Sequence, residues 1–102
     1  MAQKKDATPA AEAELAPMRK AIDGIDGALV ELFARRFDEV KKVTAVKHRL
    51  GLPAAIPARI EVVVSRVRAT AEKSGFPPDT AEKIWRLLMQ EMIAYEESEL
   101  KG

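Results

Sequence analysis

Residues 15–49 read LAPMRKAIDGIDGALVELFARRFDEVKKVTAVKHR, and the spacing of their apolar side chains predicts one long helix. Apolar residues recur at steps of three and four with charged residues between them, which is the period of a single helix face. Pro17 suits the first turn of such a helix, and Gly51 followed by Pro53 supplies the stop. A helix from Pro17 to Arg49 would be roughly 50 Å long. We therefore expect a second chain to cover it.

A second, shorter helix is predicted to begin at Pro57, which is suited to a first helical position. The apolar residues between Ile60 and Val67 form a helical stripe, and the pattern continues to about Lys73. The glycine of Ser74-Gly75 is typical of a helix end.

A third helix is predicted after Pro77-Pro78, where Asp79 followed by Glu82 resembles a capping box. Apolar residues then occupy two faces of this helix, which implies contacts on two sides. No strand-like alternation and no internal repeat is present in the sequence. The expected fold class is therefore all-α, with three helices per chain and a long first helix.

Residues 1–14 are polar and Ala-rich and are interrupted by Pro9, so we expect a flexible N-terminal arm before a helical domain over residues 15–102. Lys4 and Lys5 are not followed by an apolar segment of signal-peptide length. No apolar run approaches the roughly 18 residues that a membrane span requires. These features predict a cytoplasmic protein with no membrane partner.

The charge balance and the residue types exclude several classes of function. Seventeen Lys and Arg against 16 Asp and Glu give a net charge of +1, far from the basic balance of a nucleic-acid-binding domain. The absence of cysteine excludes disulfides and thiolate metal sites, and one histidine cannot form an imidazole cluster by itself. We expect no nucleic-acid partner and no metal.

Four cations stand at positions where they could bind a small dianion. Arg36 and Lys47 are separated by about 1100° of helical rotation, so they share a face and lie roughly 16 Å apart along the axis. Arg59 follows at the start of the second helix, where the helix N-terminus favours anions. Arg19 lies about 25 Å before Arg36, so it could reach the same ligand only from the other chain of an antiparallel dimer.

Glu96 shares a predicted helix face with Trp85, Met89 and Met92, an unusual position for a solvated carboxylate. From spacing alone, however, these charges are also those of an ordinary solvated surface, because 32% of the residues are charged. His48 is interpreted as a surface histidine rather than a catalytic base.

Several segments resemble AroQ-type chorismate mutases, whose first helix carries an Arg before an Ile-x-x-Leu/Ile-Asp pattern. The similar segments are Met18 to Asp26, Leu32 to Arg36, Val43 to Lys47, Arg59 at twelve residues after Lys47, and Ile84 to Met89. The resemblance extends from about Leu15 to Leu100, nearly the whole predicted helical domain.

This resemblance implies an intertwined helical homodimer with two shared active sites and no cofactor. By position, Arg19 of one chain and Arg36 of the other would bind the two carboxylates of chorismate, assisted by Arg59, while Lys47 and Glu96 would address its ether oxygen. The implied activity is the isomerisation of chorismate to prephenate in the shikimate pathway of aromatic amino acid biosynthesis. Such a pericyclic reaction needs no nucleophile and no metal, because conformational restriction and charge stabilisation accelerate it.

Two apolar residues leave two candidates for the identity of the substrate. Ile60 stands where many mutases have a Glu that contacts the C4 hydroxyl of chorismate, and Ile56 stands where an Asp is frequent. The segment from Ile56 to Ala58 is similar to one in isochorismate-pyruvate lyases, which make salicylate and pyruvate from isochorismate. The alternatives are therefore this lyase and, as a second one, a non-enzymatic helical dimerisation module.

Glu96 is a further departure, because bacterial mutases usually have Gln at this place. A carboxyl group donates a hydrogen bond only when protonated, whereas an amide donates at every pH. If Glu96 is the donor to the ether oxygen, turnover should fall as pH rises, and Glu96→Gln should flatten that fall.

Overall fold

The computed structural model describes residues 8–101, which form three helices and no strand. Helix α1 spans Pro9–Leu50, α2 spans Pro57–Ser74 and α3 spans Pro78–Leu100. The predicted all-α class and the long first helix are confirmed. None of these helices is long and apolar enough to cross a membrane.

Helix α1 begins earlier than predicted because Thr8 caps it. The backbone N–H of Ala11 donates to Thr8 Oγ1 at 3.1 Å, and the N–H of Glu12 donates to the Thr8 carbonyl at 2.8 Å. Pro9 takes the first helical position, where its missing N–H costs nothing. Pro17 lies inside the helix, so the predicted start there was wrong.

The expected flexible arm over residues 1–14 falls only partly within the described chain. Residues 9–14 are helical, in keeping with the high helix propensity of their alanines. Residues 1–7 lie outside the described residues.

The end of α1 follows the prediction. Gly51 adopts a φ of 68°, the left-handed conformation that glycine tolerates without strain. Its N–H donates to the His48 carbonyl at 3.3 Å, and the Leu52 N–H donates to the Lys47 carbonyl at 2.9 Å. This pair of bonds is a Schellman motif, which satisfies carbonyls that the helix leaves unpaired.

Helix α2 also begins and ends as predicted. Pro57 is its first residue, and Gly75 follows it with a φ of 77°. The N–H of Gly75 donates to the Glu72 carbonyl at 3.3 Å and that of Phe76 to the Ala71 carbonyl at 2.9 Å, a second Schellman motif.

The capping box predicted for α3 does not form. Pro77 occupies the N-cap position without a side-chain hydrogen bond, and Pro78 is the first helical residue. The carboxylates of Asp79 and Glu82 instead pair with Arg68 on α2. A tertiary ion pair has replaced the local cap.

The chain divides into two units, of which the first ends at Arg36 and the second begins at Phe37. In the second unit, α2 and α3 pack together antiparallel, as the pairing of Arg86 with Glu61 and of Arg68 with Glu82 requires. The buried apolar residues of this unit are small or flexible: Ala54, Val64, Ala71, Ala81 and Met89. The core of one chain is therefore thin.

The first unit leaves its large apolar side chains exposed. Those between 46% and 66% exposed are Met18, Ile22, Ile25, Leu29, Val30 and Leu32. A β-carbon added at Gly24 or Gly27 would meet nothing within 4 Å, so nothing in one chain requires these glycines.

Candidate functional site

The structure brings together Lys47 and Glu96, which are 49 residues apart in the sequence. Lys47 lies in the last turn of α1 and Glu96 near the end of α3. Lys47 Nζ donates to Glu96 Oε2 at 2.7 Å, a short charge-assisted hydrogen bond. The two side chains are only 14% and 7% exposed. Such shielding strengthens the pair electrostatically, because less water screens it.

The loop between α1 and α2 provides a second acceptor for the same ammonium group. Lys47 Nζ donates to the backbone carbonyl of Ala54 at 2.7 Å. Ala54 itself is buried. Since an ammonium group has three N–H donors, one donor is left without a partner among residues 8–101. The site thus presents one cationic hydrogen-bond donor held by two acceptors.

The backbone of Lys47 is also engaged by this loop, through the Leu52 N–H of the Schellman motif. Residue 47 therefore contacts the loop at two points, with its carbonyl oxygen and with its ammonium group. Local sequence explains the first contact, because Gly51 permits the helix end. The second contact depends on a backbone carbonyl, which has no side-chain signature, and sequence reasoning missed it.

An aromatic pair lies beside this site. The rings of Phe37 and Tyr95 meet edge to face, with centroids 4.8 Å apart and planes at 70°. Such a pair contributes about 0.5–1.5 kcal/mol to stability, in addition to the effect of burying its apolar surface. Since Tyr95 directly precedes Glu96, the contact helps to fix the end of α3 against α1. The pattern of apolar residues did not reveal this partnership.

Arg59 occupies the third position of α2, where its backbone N–H donates to the Ile56 carbonyl at 3.0 Å. Its side chain is exposed and forms no ion pair within residues 8–101. The structure does not bring Arg59 into contact with the Lys47 and Glu96 pair. It lies in the first turn of a helix, where the helix N-terminus favours anionic ligands.

Arg19 and Arg36 both belong to the first unit. Arg19 is exposed and pairs with Glu12, which lies about two helical turns earlier on α1. Arg36 is half-buried and is the last residue of that unit. That Arg19 and Arg36 bind the same ligand as Lys47 stays a prediction.

An open groove of about 410 Å³ lies along α2 and α3. Its lining is mostly apolar and consists of Ile60, Arg86, Met89, Gln90, Ile93, Ala94 and Glu97. Ile60 therefore presents a hydrocarbon side chain to this groove, at the place where the resemblance expects a carboxylate.

A second set of ion pairs joins α2 to α3 on the surface. Arg68 pairs with Asp79 at 2.9 Å and with Glu82 at 2.8 Å. Arg86 pairs with Glu82 at 2.7 Å and with Glu61 at 3.0 Å. The hydrogen bond from Arg86 lowers the pKa of Glu82 below its ordinary value and does the same for Glu61. We call these five residues the surface ionic cluster.

The sequence matches the family described as chorismate mutase type II over residues 18–97. A T-protein of Enterobacter agglomerans is 40% identical over 84 residues, which is 82% of this chain and 22% of that protein. The chain thus spans about a fifth of the length of the T-proteins that it matches.

Two relatives have a length similar to that of this chain. The chorismate mutase of Methanocaldococcus jannaschii is 30% identical over 88 residues, covering 86% of this chain and 89% of that protein. The 4-amino-4-deoxychorismate mutase of Streptomyces venezuelae is 27% identical over 84 residues and 82% of each chain. The family match covers most of α1 and all of α2, and it includes Lys47 and Glu96. The resemblance found in the sequence is confirmed, and the chain belongs to the chorismate mutase type II family.

Proposed function

We propose that this protein is a chorismate mutase, an isomerase that converts chorismate to prephenate by an intramolecular Claisen rearrangement. The observation that carries the proposal is the shielded ammonium group of Lys47, held by Glu96 and Ala54 with one donor left for a ligand. Family membership and the names of relatives of similar length support the same reaction.

The chemistry needs a fixed cationic donor more than it needs a nucleophile. As the ether bond of chorismate breaks, negative charge develops on the ether oxygen. A donor already oriented toward that oxygen, in a place with little water, stabilises the transition state without reorganising first. Lys47 and Glu96 form the polar end of the proposed site, and restriction of the substrate to its reactive conformer supplies the rest of the acceleration.

The carboxylates of the substrate require further cations, for which we propose Arg36 and Arg59 of one chain with Arg19 of its partner. Arg59 is exposed at a helix N-terminus and has no ion pair within the described residues, which suits it to bind a carboxylate. The exposed apolar side chains of the first unit support a homodimer, since they need a cover. Each active site would then draw residues from both chains.

The apolar side chain of Ile60 supports isochorismate as a second candidate substrate, because the groove has no carboxylate at that position. In that case the same cations would promote loss of pyruvate to leave salicylate. We place the reaction in the cytoplasm, where aromatic amino acid biosynthesis would use prephenate.

The first experiment is a parallel assay of purified protein with chorismate and with isochorismate. We expect turnover of chorismate to prephenate, and Arg36→Ala should reduce kcat/KM at least about a hundredfold. The matched control is Arg35→Ala, because Arg35 is an exposed neighbour on the same helix. Exclusive formation of salicylate would favour the lyase. Neither activity in the wild-type protein would favour a non-enzymatic dimerisation module.

The second experiment tests the shared site. Arg19→Ala and Lys47→Ala proteins should each be inactive, but mixed dimers should recover activity, because one of their two sites receives both intact residues. Sedimentation should establish that the mixed dimers have formed. A fully active monomer, or no recovery in verified mixed dimers, would contradict the shared site.

A further inference from the structure

The guanidinium group of Arg19 is held by a carboxylate of its own helix. Its Nη1 donates to Oε2 of Glu12, which lies seven residues earlier on α1. Seven residues correspond to about 700° of rotation and roughly 10 Å of rise, so the two side chains lie on nearly the same face. The remaining donors of this guanidinium have no partner within residues 8–101. One corner of the group is therefore bound, and an edge is left for a ligand.

The first turn of α1 places Glu12 independently of Arg19. Thr8 Oγ1 accepts from the Ala11 N–H at 3.1 Å, and the Thr8 carbonyl accepts from the Glu12 N–H at 2.8 Å. Glu12 is the acidic residue of this turn, where the partial positive charge of the helix N-terminus favours a carboxylate. The backbone and the cap thus fix the position from which Glu12 binds the arginine.

A second carboxylate competes for Arg19 on the same helix face. Asp23 lies four residues further along, about 40° around the axis, at a spacing that commonly forms ion pairs. Asp23 nevertheless forms no ion pair in the described part of the chain. A helical side chain leans toward the N-terminus of its helix, which carries the guanidinium of Arg19 toward Glu12. Glu12 therefore determines along which direction of the helix the guanidinium lies.

The exposure of the pair shows which property it affects. The side chains of Arg19 and Glu12 are 55% and 46% exposed, so their ion pair contributes little to the free energy of unfolding. It does restrict a long side chain before a ligand arrives, and a restricted side chain loses less conformational entropy on binding. A guanidinium can bind one carboxylate at a corner and a second one with two parallel bonds along an edge.

We propose, on the basis of the proposed function, that Glu12 is a positioning residue for the active site of the partner chain. It holds one corner of the Arg19 guanidinium, keeps this group away from Asp23 and leaves its open edge for a carboxylate of the substrate. Arg19 is the residue that touches the substrate, and Glu12 acts only through it. Glu12 therefore contributes to substrate binding and not to the bond-breaking step.

The first test compares steady-state kinetics of Glu12→Gln with those of the wild type. KM for chorismate should rise by about threefold to fivefold while kcat stays the same, because the lost contact acts equally on the bound substrate and on the transition state. Adding Asp23→Asn to Glu12→Gln should lower KM again, since the competing carboxylate is then absent. The matched control is Glu14→Gln, an exposed carboxylate of the same helix segment, whose KM should not change.

Two results of this comparison would overturn the proposal. An unchanged KM in Glu12→Gln would show that Glu12 does not position the arginine. A lower KM would show that Glu12 competes with the substrate for it. Circular dichroism should show that each variant keeps its helices.

Mixed dimers separate positioning from a general effect on the helix. In a dimer with Lys47→Ala in one chain, the working site has Lys47 from the other chain and Arg19 from the Lys47→Ala chain. Glu12→Gln should therefore raise KM when it is in the same chain as Lys47→Ala and leave KM unchanged when it is in the other chain. The two dimers contain the same substitutions, so a difference in their stability does not explain this result. Equal KM values in the two arrangements would contradict the proposal.

A further measurement is independent of turnover. The guanidinium ¹⁵N resonances of Arg19, assigned by their loss in Arg19→Lys, should show slower rotation about the Cζ–Nη bonds in the wild type than in Glu12→Gln. Equal rotation rates would contradict the ion pair. If the wild type turns over no chorismate, the proposed function itself fails, whereas an active enzyme with unchanged KM in Glu12→Gln overturns only the role of Glu12.

Discussion

Helix α3 carries ion pairs near both of its ends, and the two sets differ in their exposure to water. Near its C-terminal end, Lys47 and Glu96 are 14% and 7% exposed. In its N-terminal half, the surface ionic cluster has side chains that are 28% to 85% exposed. Both sets join α3 to another element. Water screens the exposed set, so each of its pairs contributes little to the free energy of unfolding. Removing one partner of the shielded set destabilises the fold more, because it leaves a buried charge unpaired.

The two sets also differ in how their donors are used. In the surface ionic cluster, Arg86 makes two bonds to Glu61 and a third to Glu82, so its donors are directed at protein. Lys47 keeps one donor without a partner in the described chain. A shielded cation with a remaining donor is suited to a ligand, whereas an exposed cation that binds carboxylates on both helices is suited to holding two helices together. Exposure and the choice of partners therefore distinguish the ion pair of the candidate site from the surface ionic cluster.

The largest expected difference concerns stability after truncation of one carboxylate in each set. Glu96→Ala should reduce the free energy of unfolding by about 3 kcal/mol or more, because it leaves the ammonium of Lys47 shielded and unpaired. Glu82→Ala should cost much less, because the cations that it leaves are in contact with water. Urea denaturation of both variants at one protein concentration measures the comparison. Equal losses of unfolding free energy in the two variants would show that burial does not determine how much each set contributes to stability.

The next largest effect is on catalysis. Lys47→Ala should reduce kcat/KM at least about a hundredfold, equivalent to about 2.7 kcal/mol of transition-state stabilisation. Lys41→Ala is the matched control on the same helix, since Lys41 is half-exposed and only lies over the Phe37 ring and near Asp38. Steady-state kinetics should show almost no change for this control. A comparable loss in both variants would remove the special role of Lys47.

A smaller effect should follow from placing a carboxyl group in the apolar groove. If Ile60 leaves the substrate hydroxyl without a partner, the penalty is roughly 1 to 3 kcal/mol, and Ile60→Glu should improve chorismate turnover by about tenfold. Ile60→Gln controls for size and polarity without the charge. Weaker turnover in a folded Ile60→Glu protein would show that the inferred hydroxyl contact is wrong.

The smallest effect concerns the pH dependence of the surface ionic cluster. Hydrogen bonds from Arg86 lower the pKa of Glu61 and of Glu82 below the ordinary value of 4.5. The stability that these carboxylates provide is therefore fully present above pH 4.5 and is lost as pH falls through their lower folded-state values. Thermal unfolding between about pH 7 and about pH 3 should show a smaller acid loss in Glu61→Gln than in the wild type. Identical acid slopes in the two proteins would contradict this assignment.

Much of the fold could be predicted because its signals are local. Gly51 and Gly75 end their helices by adopting the left-handed backbone that glycine permits, and Pro57 begins the second helix. The start of α1 could not be placed from Pro17, because the cap at Thr8 decided it. The capping box at Asp79 failed for the opposite reason. A cation 11 residues earlier in the sequence, Arg68, competes for that carboxylate.

The candidate site was predictable only in part. Spacing along one helix could suggest Lys47 as a ligand-binding cation, but it could not relate Lys47 to Glu96, which is 49 residues away. Family resemblance supplied that relation. The Ala54 carbonyl was beyond either approach, because every residue has such an oxygen and only the folded loop directs this one to the ammonium group. The packing of Phe37 on Tyr95 likewise depends on tertiary structure.

The two bonds that tie the loop to residue 47 have a consequence for hydrogen exchange. The Leu52 amide proton is held by the Lys47 carbonyl, and the Ala54 carbonyl is held by the Lys47 ammonium. Solvent can reach the Leu52 amide only when the loop detaches from the end of the helix, so its exchange rate reports how often the loop opens. That single backbone proton is a built-in probe of the site, readable by NMR in the resting protein without substrate or label at the lysine.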